Sequence, residues 1–362
     1  MNQEKLAILE LFLAADIGSL RFFRLLEIFG NAQNIVTASK KELMAVYGIG
    51  EKIAGAVSSR KFLAQAETEI ENALKNNIKI VFYTDGDYPE NLQNITDKPA
   101  VLYVKGDYLP ADSNAAAVVG SRRASAYGKN TTEEFAAVFA KNGLTVVSGL
   151  ARGVDSYAHK AALENDGRTI AVLGNGLLVH YPPENKKLQD KIPERGAVIS
   201  EFPLNCEPNP GTFPRRNRII AALSKAVLVT EASEKSGAVI TAKFAAEYGK
   251  DVFAVPGSIY SSLSKGTNKL IEDGAFAALV PENVTAQITG ASINSGVIKK
   301  AEGLTVREKE VLEFLYGIQE GAHLETIAQK FNATIAEVSS TLFQLEILGL
   351  VRSTPGQIYI AK

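Results

Sequence analysis

The segment Gly120-Ser121-Arg122-Arg123 combines residue types that bind anions, and it directly follows the apolar run at residues 115–120. A glycine lets the backbone approach a ligand, while a hydroxyl, a guanidinium and free amides at a helix start can hold a phosphate. The dinucleotide pattern GxGxxG is missing here. We predict a phosphate contact at Gly120, Ser121 and Arg122. The alternative is a capped turn with a solvated arginine.

A second glycine-arginine turn, SGLARG at residues 148–153, follows the apolar run at 145–149 and contains Arg152. Asp155 and His159 come next, four residues apart, and would therefore share one face of a helix. They could form an acid/base couple, but a structural hydrogen-bonded pair is the favoured interpretation.

The strongest basic signal is FPRRNR at residues 213–218, inside a stretch (208–230) that has four cations and no carboxylate. Pro214 can start a helix, in which Arg215 and Arg218 would share a face and Arg216 would point elsewhere. Such a cluster suits an anionic ligand, although a surface charge run is the alternative. The candidate binding residues are Phe213, Arg215, Arg216, Asn217 and Arg218.

Two further groups follow predicted strands. Tyr181, Lys186 and Lys187 offer an aromatic face and two cations. Ser236 and Gly237 present a hydroxyl and amides at the start of a helix that also carries Lys243. Because ligands of doubly wound sheets collect at the carboxyl ends of the strands, these groups are candidates for the same site.

The elements that must position these residues are short apolar strands separated by helical stretches. We predict strands at 79–83, 101–104, 115–120, 145–149, 169–174, 197–200, 226–231, 251–256 and 276–280. Near-continuous apolar strands alternating with helices predict an α/β fold with a doubly wound, mostly parallel sheet. This domain spans residues 76–284.

The flanking segments differ from the core. Residues 1–75 have helical periodicity only, and Gly48-Ile49-Gly50 resembles a helix-hairpin-helix (or SAM-like) turn, which could bind DNA or simply connect two helices. Residues 285–302 are small and polar, and we predict a linker. Residues 303–362 contain three helical segments and a hairpin, the pattern of a winged helix.

Composition and the absence of known catalytic motifs limit the classes of function that the sequence allows. The 39 Lys and Arg residues balance 40 Asp and Glu, so any basic site must be local. One cysteine and three dispersed histidines argue against a disulfide framework and a metal centre, and we expect no cofactor. The sequence has no apolar run that could span a bilayer and no signal-peptide pattern, so we expect a cytoplasmic protein. Without a catalytic triad or P-loop, binding is favoured over catalysis, and we predict no enzyme activity.

Taken together and in order, six motifs resemble the DNA-processing protein A (DprA, or Smf) family. They are GSRRASAYG (120–128), SGLARGVDSYAH (148–159), FPRRNRIIAALS (213–224), EASEKSGAVITAKFA (231–245), VPG (255–257) and SKGTNKLIEDGA (264–275). The resemblance implies a helical N-terminal module, an extended Rossmann-like core that binds single-stranded DNA, and a C-terminal winged helix. It further implies a homodimer that protects incoming DNA and loads the RecA recombinase in natural transformation, without enzyme activity.

Carried over by position, the resemblance assigns basic binding roles to Arg122, Arg152 and the arginines of FPRRNR. Lys186 or Lys187 and Lys243 are inferred as further phosphate contacts. Single-stranded DNA is held by a basic groove with aromatic side chains that stack bases. The stacking candidates are Phe213, Phe202 and Tyr181, each of which could equally belong to the core.

Two alternative functions fit the sequence less well. A Rossmann-like phosphoribohydrolase of nucleoside monophosphates would need a PGGxGTxxE loop, but the Gly-Gly pair is absent and Phe244 stands where the glutamate belongs. A regulator that senses nucleotides and uses the winged helix to bind DNA is disfavoured by charge. Residues 303–362 carry five Lys or Arg against seven Glu, and the recognition helix at 335–348 has no cation. We predict a protein-contact or regulatory role for this domain.

Overall fold

The computed structural model describes residues 2–14, 17–290, 304–318, 321–354 and 356–361. It divides into two compact units, Met1–Thr289 and Gly290–Lys362, each with its own apolar core.

A nine-stranded sheet forms the centre of the first unit, and all nine predicted strands are confirmed. The strands are β1 (Lys79–Phe82), β2 (Val101–Gly106), β3 (Ala115–Val119), β4 (Thr145–Ser148), β5 (Thr169–Leu173), β6 (Gly196–Ser200), β7 (Ala226–Val229), β8 (Asp251–Ala254) and β9 (Phe276–Ala277). Their order is β1-β2-β6-β5-β4-β3-β7-β8-β9. The seven strands from β6 to β9 are parallel, while β1 and β2 extend the sheet antiparallel. The strand order reverses between β3 and β7, which makes their carboxyl ends the topological switch point.

Helices cover both faces of the sheet, as the Rossmann-like prediction requires. They are α7 (Glu90–Gln93), α8 (Ala126–Lys141), α9 (Val154–Glu164), α10 (Lys186–Lys191), α11 (Thr212–Leu223), α12 (Gly237–Glu247), α13 (Lys265–Glu272) and α14 (Pro281–Thr289). Alternation along β3 explains the two layers, because successive side chains of a strand point to opposite faces. Ala116 and Val118 pack with α8, α9 and α14, whereas Ala117 and Val119 pack with α11 and α12.

Among the described residues, six helices precede the sheet and share an apolar core with it. They are α1 (Gln3–Leu13), α2 (Ser19–Phe29), α3 (Ala32–Thr37), α4 (Lys40–Met44), α5 (Glu51–Ser58) and α6 (Leu63–Lys75). The predicted turn joins α4 to α5: Gly48 has φ +87°, and Ile49 is buried beneath it. The module shares a core with the sheet, in which Phe12 meets Tyr103 and both Phe22 and Phe23 meet Tyr83 edge-on. Bracing of the sheet is therefore one role of this module.

The boundary after the sheet differs from the predicted one. Residues 285–289, which the sequence assigned to a linker, form the end of α14. Val284 is buried and Ile288 is half-buried against the core, because the apolar spacing continues past the polar composition that suggested a linker. The rest of the predicted linker, from 291 to 302, lies outside the described residues.

The second unit is a winged helix, as predicted. It contains α15 (Val306–Tyr316), β10 (Ala322–His323), α16 (Leu324–Lys330), α17 (Ile335–Ile347), β11 (Val351–Thr354) and β12 (Ile358–Ala361), with the strands in the order β10-β12-β11. Capping boxes at Thr305 and Thr334 start α15 and α17. Val311, Ile327 and Leu342 are among its fully buried residues.

Candidate nucleic-acid interface

An open groove of about 700 Å³ lies at the switch point. We call it the switch-point groove. Its lining includes Gly120, Ser121, Arg122, Arg123, Asp155, Tyr181, Phe213, Arg216, Asn217, Ser233, Ser236, Gly237 and Leu263. Eight of the predicted binding residues (Gly120, Ser121, Arg122, Phe213, Arg216, Asn217, Ser236 and Gly237) are thus brought together, as the rule for doubly wound sheets predicts.

Glu231, at the carboxyl end of β7, positions the loop that follows β3. The Ser121 amide donates to the Glu231 carbonyl at 2.7 Å. The Glu231 carboxylate accepts from the amide of Ser125 at 2.8 Å and from its hydroxyl at 2.6 Å. Gly128 is required beside it, because a methyl group there would lie 2.6 Å from Glu231 Oε2. Glu231 is not among the predicted binding residues, although an acid at the end of an apolar strand is a usable signal in the sequence.

Arg122 and two aromatic rings form one layered wall of the groove. The Arg122 guanidinium lies 4.9 Å from the centre of the Phe213 ring, and the Tyr181 ring is 5.6 Å from Phe213. Phe213 also packs on Gly174, where a methyl group would lie 2.7 Å from its Cδ1 atom. This wall places an exposed cation next to two half-buried aromatic faces, the combination that binds phosphates and stacks bases.

Arg216 lies at the floor of the groove and is only 4% exposed. Its Nη1 atom donates to the carbonyls of Gly149, at 2.6 Å, and Val172, so it ties the ends of β4 and β5 to α11. Burial lowers the pKa of Arg216 to about 10, which leaves it charged at neutral pH. Arg216 therefore provides a fixed positive charge under the groove as well as a structural link.

Asp155 and His159 do not form the pair that their spacing allowed. Asp155 accepts the amides of Gly149 at 3.1 Å and Ala151 at 3.3 Å, and burial raises the pKa of its carboxyl. His159 bonds the hydroxyl of Thr169 at 2.7 Å, and burial lowers its pKa to about 3. Each side chain satisfies a different neighbour, so this is no acid/base couple.

Arg215 and Arg218 share a face of α11, as predicted, but that face lies away from the groove. Arg218 is 6% exposed and pairs with the buried carboxylate of Glu201, while its Nε atom is 3.4 Å from Asp97 Oδ2. Arg215 is exposed and lies 5.3 Å from the centre of the Phe202 ring. Phe202 is itself buried, so it belongs to the core and offers no open face to a base. Arg218 is thus one member of a buried ion pair and is not available to a ligand in the groove.

The remaining predicted cations also lie outside the groove lining. Arg152 borders a small cavity beside Tyr181 and Arg216, and it forms an exposed bidentate pair with Glu184. Lys186 and Lys187 are exposed in the first turn of α10. Lys243 is exposed on α12 and lines a separate cavity between α12 and α13.

The start of helix α12 also lines the groove. Ser236 is its N-cap, and the hydroxyl accepts the amide of Ala238 at 3.2 Å. Asn217 donates from Nδ2 to the Gly237 carbonyl at 3.1 Å, and this bond fixes α11 to the start of α12. The helix dipole adds partial positive charge to this side of the groove.

The pair between Arg152 and Glu184 should compete with a phosphate for the guanidinium. We expect Glu184→Gln to strengthen binding of labelled oligo-dT at low salt by about two- to fivefold, since an exposed pair contributes little and is readily exchanged. Fluorescence anisotropy measures this change. Asp166→Asn, which breaks the exposed pair with Arg195 elsewhere, is the matched control and should leave affinity unchanged. Equal affinity of Glu184→Gln and the unmodified chain would contradict the competition.

Among the described residues, no group of three or more His, Cys, Asp or Glu side chains could hold a metal ion. Within the same ranges, no helix is long and apolar enough to cross a bilayer.

The fold and groove define an α/β protein with a Rossmann-like sheet whose switch point gathers arginine, hydroxyl and aromatic side chains. Comparison with known proteins places it more narrowly. The family model for DNA recombination-mediator protein A matches residues 79–289, and the DprA winged helix domain model matches residues 299–357. The chain belongs to the DNA recombination-mediator protein A (DprA/Smf) family.

Individual proteins of this family are similar to the chain over much of its length. Protein Smf of Synechocystis is 34% identical, with 95% of each chain covered. Protein Smf of Escherichia coli is 37% identical over 82% of each chain. The DNA processing protein DprA of Streptococcus pneumoniae is 45% identical over 56% of this chain and 72% of the relative.

Two solved structures are similar as well. The crystal structure of DprA from Streptococcus pneumoniae matches with a TM-score of 0.68 and 35% identity, covering 79% of this chain and 98% of that one. A structure of DNA processing protein A from Helicobacter pylori, described for its single-stranded DNA binding mode, matches with a TM-score of 0.53 and 33% identity. It covers 59% of this chain and 96% of that one.

Proposed function

We propose that this chain binds single-stranded DNA without sequence preference in the switch-point groove. The observation that carries the proposal is the wall formed by Arg122, Phe213 and Tyr181 above the buried charge of Arg216. A cation beside aromatic faces suits a strand whose bases are unpaired, because every base has a face that can stack. The single-stranded DNA binding described for the Helicobacter relative supports the same function.

The family relationship supports a role that follows DNA binding. In our proposal the chain protects single-stranded DNA in the cytoplasm, acts as a homodimer and loads RecA onto the bound strand during transformation or recombination. A groove that holds phosphates but brings no acid/base couple to them suits a mediator that hands its DNA to another protein. Asp155 and His159 are each bonded elsewhere.

The phosphoribohydrolase alternative is not favoured. Such an enzyme needs a glutamate on the helix that begins at Gly237, and the position holds Phe244, whose ring stacks on Tyr248 at 6.1 Å. We therefore propose no enzyme activity.

In our proposal the winged helix contacts protein. Its helix α17 exposes Ile335, Phe343 and Ile347 and carries no Lys or Arg, whereas a helix that enters a DNA groove needs positive charge. Salt-dependent duplex binding by a fragment of residues 303–362 would contradict this assignment.

The central proposal is tested by fluorescence anisotropy with labelled oligo-dT and a duplex of equal length, at low and moderate salt. We expect oligo-dT to bind more tightly than the duplex, and we expect its affinity to fall as the salt concentration rises. Phe213→Ala should weaken oligo-dT binding by about 5- to 150-fold, the range for loss of one stacked base. Phe276→Ala, exposed on β9 outside the groove, is the control.

Absence of oligo-dT binding even at low salt would overturn the proposal, and AMP hydrolysis would then be measured. If binding is confirmed, the rate of RecA filament assembly on the bound strand tests the loading step.

A further inference from the structure

The loop between β8 and α13 presents two apolar side chains to solvent beside the switch-point groove. Tyr260 is 92% exposed and its neighbour Ile259 is 72% exposed. Leu263, three residues after Tyr260, lines the groove itself. Single exposed apolar residues are common on protein surfaces. An almost fully exposed tyrosine beside the proposed binding groove, however, is of the type that stacks bases of a single strand.

This loop is held firmly at its base. Asn268 bonds both the amide of Gly257 at 3.1 Å and its carbonyl at 3.0 Å, and the Ser264 amide donates to Ser261 at 3.1 Å. The Gly266 amide donates at 2.8 Å to the carbonyl of Ala232, which precedes the groove-lining Ser233. The backbone on both sides of Tyr260 is therefore fixed, so the loop itself need not be ordered when a base stacks on the ring.

The position of the loop extends the groove along the sheet edge. Phe213 packs on Gly174 after β5, whereas Tyr260 follows β8. Between β5 and β8 lie β4, β3 and β7, so the carboxyl ends of these two strands are four strand spacings apart, about 19 Å at the usual separation of strands. That span suits several nucleotides of single-stranded DNA.

Charge along this extension is mixed but includes cations. Lys235, in the loop after β7, and Lys265, at the start of α13, are both exposed. Glu234 is the exposed acid between Ser233 and Lys235. Both lysines are close in sequence to residues that line the groove, Lys235 beside Ser236 and Lys265 two residues after Leu263, and both can contact phosphates.

We propose that Tyr260 is a second base-stacking platform, and that a bound single strand runs along the carboxyl ends of the strands from Phe213 to Tyr260. The inference rests on the proposed function, since it extends the same groove. It predicts that strands long enough to reach both aromatic groups bind more tightly than short ones, and that only the long strands depend on Tyr260.

The experiment uses the absence of tryptophan from the sequence. Tyr260→Trp introduces a single indole at the proposed platform, and Leu109→Trp introduces one at an exposed position that precedes β3, at the amino end of the sheet, as the matched control. We expect oligo-dT of about twelve nucleotides to quench Tyr260→Trp fluorescence at saturation, and to leave Leu109→Trp fluorescence unchanged. Anisotropy on the same samples reports whether the DNA is bound at all.

A second variant measures the energetic effect. Tyr260→Ala should weaken binding of the long oligo-dT by about 5- to 150-fold and leave a four-nucleotide strand unaffected, whereas Tyr260→Phe should retain the affinity. Full anisotropy change with no quenching, and equal affinity of Tyr260→Ala for the long strand, would overturn this inference while leaving the proposed function intact. No anisotropy change in any variant would instead contradict the proposed function.

Discussion

Arg122→Ala should lower the affinity for oligo-dT by about tenfold or more, with the fold unchanged. Arg122 is exposed at the groove and stacks on Phe213, so the substitution removes one phosphate contact and one cation–π contact. Fluorescence anisotropy over a salt series measures the effect. The slope of log affinity against log salt should become less steep by about 0.7, the value for one phosphate contact on a single strand.

Arg195→Ala is the matched control for this substitution. Arg195 is also an exposed arginine, but it immediately precedes β6 and so lies at the amino end of the sheet, opposite the groove. Its loss should change neither affinity nor slope. Equal effects of the two substitutions would mean that general positive charge, and not the groove, determines binding.

Arg216→Ala should destabilise the protein by roughly 3–5 kcal/mol, the cost of removing one member of a buried charge system. The alanine leaves the carbonyls of Gly149 and Val172 without the Arg216 donor, and it removes the cation that stabilises the ionised form of buried Asp155. Urea unfolding followed by circular dichroism measures the loss. Arg215→Ala, on the same helix but exposed, should stay within about 0.5 kcal/mol of the unmodified chain.

An unfolding midpoint of Arg216→Ala equal to that of the unmodified chain would show that Arg216 is not structural. The expected result has a practical consequence. A variant with Arg215, Arg216 and Arg218 all replaced would lose two buried arginines, so its loss of DNA binding would reflect unfolding. Single substitutions at exposed positions such as Arg122 are the informative ones.

Within the FPRRNR segment, the sequence predicts which face of the helix each arginine occupies better than it predicts whether the arginine is buried. The 3.6-residue period predicts that Arg215 and Arg218 lie on one face and Arg216 on another, and the structure agrees. It does not predict that Glu201 and Asp97, far away in sequence, bury Arg218 in an ion pair. Nor does it predict that two backbone carbonyls enclose Arg216. Burial depends on which elements pack together, and local spacing carries no information about that.

The sequence by itself determined the alternation of strands and helices, and hence the edge at which the ligand-binding residues collect. Alternation is a local property, since each strand and helix carries its own apolar period. The tertiary structure alone decided which cations face the groove. Strand order brings Glu231 to the loop after β3, which carries Arg122, and it brings Glu201 to the far face of α11, where it pairs with Arg218. It also decided that Phe213 borders the groove while Phe202 is core. Both outcomes depend on contacts between residues distant in sequence, which only the folded chain brings together.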